Sequence, residues 1–134
     1  MSNAGSLALR GYISAHSALI DCASLHSGQC VDYAESYPVS DPTIEAGDVV
    51  AADKNVSIHV VKATKNSSII GIVSTKPGIL LKSGGISIGD AKNQEGHVPV
   101  ALAGRVPIKV SNENGPIEIG DYLTISSVPG VAMK

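Results

Sequence analysis

The apolar residues of this chain are overwhelmingly β-branched: fourteen Val and fourteen Ile stand against eight Leu, and there is no Phe and no Trp. Such side chains lose rotamer freedom in helices and pack well on a pleated surface, so the composition commits the chain to strands. The 134 residues are the size of one domain. With 43% hydrophobic residues the chain is not disordered. Ten basic residues against twelve acidic ones give a net charge of −2. That balance, with no basic run, argues against a nucleic-acid partner or an anionic membrane. No apolar run approaches the roughly 18 residues that span a bilayer.

The strand-forming residues are unevenly placed. Residues 1–30 hold no Val and no Lys and half of the Leu, whereas every Val and every Lys lies at Val31 or beyond. A boundary near residue 31 follows. Met1 to Ala4 read as an expression-tag scar. Residues 5–31 form an N-terminal segment, and residues 32–134 a β-rich domain. Between Tyr12 and Leu25 the apolar spacing permits one or two short helical turns, with Gly28 as a stop, although four serines compete for the backbone.

The β-rich part predicts seven short strands over residues 48–52, 58–63, 69–73, 79–81, 98–102, 106–110 and 122–126, separated by Gly, Pro, Asn and Asp. Seven strands at this spacing suggest a small barrel or a sandwich. The fold class is therefore mainly β, with a short helical or irregular N-terminal segment. Ile44-Glu45-Ala46-Gly47-Asp48 recurs as Ile117-Glu118-Ile119-Gly120-Asp121, and more loosely as Ile86-Ser87-Ile88-Gly89-Asp90. A tight turn feeding a strand explains all three, with Gly at positive φ and Asp bonded to nearby backbone. Residues 74–79 and 126–131 likewise read as equivalent turns.

Few residues suggest chemistry. Cys22, His26 and Cys30 are four apart and zinc accepts such ligands, but Gly28 interrupts them and no fourth ligand stands at a recognisable spacing. No metal or cofactor is expected. Two cysteines are too few for a disulfide scaffold, and on a helix these two would sit about 12 Å apart, too far to bridge. His59 and His97 read as surface or packing residues. Gly84, Gly85 and Gly89 do not precede a helix and are turn residues. Only four Tyr exist to stack on a sugar, which disfavours a carbohydrate-binding module.

Asp32-Tyr33-Ala34-Glu35 stands at the composition boundary. On a helical turn Asp32 and Glu35 would share a face, and two close carboxyls cannot both ionise cheaply. One would then keep a proton, offering a general acid beside a general base.

In sequence order, DYAE, Pro38, IEAGDVVAAD, IIGIVSTKPG, VPVALAGRVPIKV and GPIEIGDYLTISSVPGVAMK resemble the peptidase G2 family. This is the intramolecular-chaperone autoproteolytic domain found at the C-terminus of phage pre-neck appendage, or tail spike, proteins. The resemblance covers roughly residues 31–134. It implies a mainly β homotrimer that helps an upstream fibre or spike domain of the same chain to trimerise and then cuts itself off. It further implies a virion-associated place, or a cytoplasmic one during phage assembly. The motif carboxylates fall on Asp32 and Glu35, and the scission on the Val31–Asp32 bond. In that scheme Glu35 activates a water, or Asp32 attacks the preceding carbonyl through a six-membered ring, and the other carboxyl protonates the leaving amide. The β-branched Val31 crowds its own carbonyl, a departure from the small residues expected there. The alternative is a non-catalytic trimeric β module capping or anchoring a longer fibrous surface protein. Independently of the resemblance, a small, weakly charged, apolar chain has more hydrophobic surface than a monomer of this size hides, which predicts a homo-oligomer, with a trimer expected.

Overall fold

The computed structural model describes residues 32–88 and 93–134. The N-terminal readings, including the helical turns and Cys22, His26, Cys30 and Val31, lie outside the described residues, as do Gly89 and Asp90.

The protein is mainly β, with nine strands and no helix among the described residues. These are β1 (Asp32–Pro38), β2 (Val49–Ala52), β3 (Val60–Lys62), β4 (Ile69–Val73), β5 (Ile79–Lys82), β6 (Gly85–Ile88), β7 (His97–Gly104), β8 (Thr124–Ile125) and β9 (Ala132–Met133). The first seven form one mixed sheet in the order β3-β2-β4-β7-β1-β5-β6, and β8 and β9 form a separate pair. The sheet is open and does not close into a barrel. A parallel bridge from Val39 to Val60 ties the end of β1 to edge strand β3.

Alternation along β2 divides the core into two layers, because successive side chains point to opposite faces. Val50 packs on one face with Ile44, Val60, Val73 and Val100. Val49 and Ala51 pack on the other, where Ile125 and Ala132 of the β8–β9 pair cover them. Burial on both faces explains why β2 reads as an unbroken apolar run. The arrangement of two β layers over a shared core is sandwich-like.

Three sequence expectations change. Residues 106–110 form no strand; only Val110 makes a bridge, to Ala132, and Pro107 removes a ladder donor. β6 and β9 were not expected: the Gly-rich start of β6 reads as turn, and β9 lies beyond the last run the sequence marks as a strand. Most consequentially, Asp32–Pro38 is a strand and not a helical turn. β1 pairs antiparallel with β7 along its whole length and parallel with β5 over Tyr33, Ala34 and Glu35. Hydrogen bonds to two neighbours outweigh the weak local preference of Asp-Tyr-Ala-Glu.

The two closer Gly-Asp segments form the turn anticipated for them, while the Gly-Asp of the third lies outside the described residues. Asp48 N–H donates to the Glu45 carbonyl at 3.1 Å while Asp48 Oδ2 accepts from Glu45 N–H at 2.9 Å. Asp121 and Glu118 repeat both bonds at 3.1 and 2.8 Å. Gly47 and Gly120 take φ of 87° and 98°, a region where a Cβ would be strained. The other proposed pair of turns is only partly equivalent: Gly130 has φ of 78°, whereas Gly78 is not in the positive-φ region.

Candidate functional site

Strand geometry separates the two motif carboxyls. Asp32 and Glu35 are three residues apart in β1, an odd spacing, so they point to opposite faces with Cα atoms roughly 10 Å apart. The helical-turn pairing expected from the sequence does not form within one chain. Glu35 shares its face with Tyr37, whose hydroxyl donates to Glu35 Oε2 at 3.0 Å. Burial, and then the neighbouring Glu35, push the Tyr37 phenol above its ordinary value.

Asp32 lies on the other face with Ala34, and the pair are 1% and 0% exposed. The connection from β4 to β5, residues 74–78, must cross β7 and β1 to reach its partner strand. Its end is fixed against β1 by the Gly78 N–H, which donates to the Asp32 carbonyl at 3.0 Å. Ser74, at its start, is 4% exposed. Among the described residues, neither Asp32 Oδ2 nor Ser74 Oγ has a hydrogen-bond partner of good geometry.

Burial raises the Asp32 pKa above its ordinary 3.8. The nearby Ser74 hydroxyl, the Gly78 N–H and the residue's own N–H oppose that rise without cancelling it. No charged side chain contributes to the shift. Asp32 is thus a buried, under-satisfied carboxyl held toward its protonated form, at the first residue of the described domain. Val31 lies outside the described residues, so the candidate scissile bond is described from its Asp32 side alone.

A second buried carboxylate, Asp48, was read from sequence only as a turn residue. It is 1% exposed and is held by Lys109 at 2.7 Å and Lys62 at 3.4 Å, with Lys109 also contacting Glu45. Burial alone would raise its pKa; the Lys109 hydrogen bond, the Glu45 N–H and both lysine charges bring it below the ordinary value. Asp48 is therefore ionised and saturated with donors, which is the chemistry of a structural anchor. Lys109 comes from 61 residues away, and no local spacing signals that partnership.

A shallow cleft of about 530 Å³ opens beside the residue 74–78 connection, lined in part by Glu45, Ser74, Lys76, His97 and Pro99. His97 is tied to the Glu95 carbonyl at 3.0 Å, and His59 to the Ser40 hydroxyl at 3.1 Å. Among the described residues no three His, Cys, Asp or Glu are grouped to hold a metal ion.

No protein-family model matches the chain, and no curated protein or solved structure gives a significant match.

Proposed function

We propose that the chain is the C-terminal intramolecular chaperone module of a phage or prophage fibre or spike, that it acts as a homotrimer, and that it cuts its own Val31–Asp32 bond. The observation that carries the cleavage reading is the buried, under-satisfied Asp32 carboxyl, whose own N–H, the nitrogen of that bond, is close enough to affect its ionisation. In this scheme one carboxyl supplies both functions. Protonated Asp32 attacks the Val31 carbonyl carbon through one oxygen, closing a six-membered ring. The proton from the other oxygen passes to the Asp32 nitrogen, the C–N bond breaks, and a mixed anhydride of Val31 with the Asp32 side chain results. Water then hydrolyses the anhydride, restoring the Asp32 carboxyl. A raised pKa keeps a larger protonated fraction near neutral pH than an ordinary carboxyl would have, and the fold supplies the effective molarity. Glu35, on the opposite face, takes no part within its own chain.

Two surface features support self-association. β6 is an edge strand with Ile86 and Ile88 at 66% and 58% exposure, and their cross-strand partners Leu81 and Ile79 extend the same apolar face. Ile119 and Tyr122 are almost wholly exposed as well.

The separation of Asp32 from Glu35 favours a second reading, a non-catalytic trimeric cap of a longer fibrous protein. Mass spectrometry of the purified chain over days at pH 4–8, with light scattering, distinguishes the two. Self-cleavage yields a fragment beginning at Asp32 that persists in Glu35→Gln and vanishes in Asp32→Asn. A chain that stays intact while scattering at three times 13.7 kDa leaves the cap. A mass of one chain at micromolar concentration refutes the trimer.

A further inference from the structure

Ser74 is buried, and its hydroxyl has no hydrogen-bond partner of good geometry among the described residues. A buried hydroxyl without a hydrogen bond costs stability that alanine would not, so its presence beside an equally unsatisfied carboxyl calls for a role. Its backbone is well anchored. The Ser74 N–H donates to the Pro99 carbonyl at 2.8 Å, and the preceding Val73 N–H donates to the Asp48 carbonyl at 2.9 Å. Val73 packs into the core layer of Val50 and Val100. Strand alternation therefore directs Ser74 away from that layer, toward the face that carries Asp32 and Ala34.

We propose that Ser74 is the positioning residue of Asp32: its Oγ–H donates to the Asp32 carboxyl and fixes the orientation of that group against its own peptide nitrogen. This inference rests on the self-cleavage reading, because orientation matters only if the carboxyl attacks the bond that precedes it. The Gly78 N–H is engaged by the Asp32 main-chain carbonyl at 3.0 Å, which leaves the Ser74 hydroxyl as the side-chain donor for the carboxyl, one that can be removed without touching the backbone. The donor also restrains the rise in pKa, so that Asp32 retains an ionised fraction, which gives the proposal a readout apart from cleavage.

The test uses the full chain and the variants Ser74→Ala and Ser74→Thr, with the Asp32 carboxyl followed by NMR titration and cleavage followed by mass spectrometry across pH. In Ser74→Ala the Asp32 midpoint moves further above 3.8, the pH profile of cleavage moves up with it, and the maximal rate falls about tenfold because the protonated carboxyl loses the hydrogen bond that orients it. Ser74→Thr keeps the hydroxyl and restores both. An Asp32 midpoint unchanged in Ser74→Ala overturns the proposal. Should Ser74→Ala not fold, Ser74→Cys, a weaker donor, must shift the midpoint in the same direction, and no shift refutes the role. Absence of cleavage in the parent chain defeats the self-cleavage reading alone, since the titration still decides whether Ser74 holds Asp32.

Discussion

Asp32→Asn removes the charge from a carboxyl that the fold buries without adequate partners, and the parent protein should become more stable for it at neutral pH. The sign follows from linkage. The folded-state pKa of Asp32 is raised above 3.8, so the folded protein holds this proton more tightly than the unfolded chain does. Stability from this group is greatest at low pH and falls as pH rises from about 3.8 through the folded value, then levels off. Leaving a buried polar atom unsatisfied costs about 1–3 kcal/mol. For a domain of this size each kcal/mol is worth roughly 4–8 °C in Tm, so the variant should gain on the order of 10 °C at pH 7. Asp41, Asp48, Asp53 and Asp121 have lowered values, so their contributions are lost only as pH falls below 3.8. They are common to both proteins and cancel. Thermal unfolding of parent and variant at pH 3.5 to 8 should give curves that meet at the acid end and diverge upward. A variant less stable than the parent at pH 7, or a difference independent of pH, would refute the reasoning. The same substitution removes the proposed nucleophile, so stability and activity would trade against each other at one residue.

Gly71→Ala should destabilise the sheet by about 1–3 kcal/mol or more in urea unfolding, because a Cβ there meets the Ala101 carbonyl oxygen at 2.5 Å and Val100 Cγ1 at 2.8 Å; a neutral outcome would mean that β4 and β7 are farther apart than described. Asp48→Ala should cost about 1–3 kcal/mol by leaving Lys62 and the Glu45 N–H without their acceptor and Lys109 with Glu45 alone, the lysines being exposed enough to regain water. The matching change at Asp121, which repeats the turn near the surface with Lys134 at 3.1 Å, should cost clearly less, because water screens and replaces that pair. Equal losses at the two positions would contradict the assignment of Asp48 as an anchor.

Two kinds of information separate along this chain. The turns were legible because their chemistry is local: Glu45-Ala46-Gly47-Asp48 and Glu118-Ile119-Gly120-Asp121 carry within four residues the glycine and the carboxylate that close them. The strand at 69–73 was legible for a similar reason, as a short β-branched run bounded by turn residues. Asp32-Tyr33-Ala34-Glu35 was not, because its backbone conformation is set by β7 and β5, whose residues lie dozens of positions away. The identical turn motif likewise gave no sign that Asp48 would be buried between two lysines and Asp121 left near the surface.

The sequence by itself determined that this is a β protein, where its tight turns fall, and that its composition changes beside Asp32, since each depends on side-chain shape and near neighbours. Only the tertiary structure decided that Asp32 and Glu35 face opposite ways, that Ser74 stands beside Asp32, and that Asp32 is buried short of donors. Those facts follow from strand pairing and from a connection crossing the sheet, and both are contacts between residues far apart in sequence.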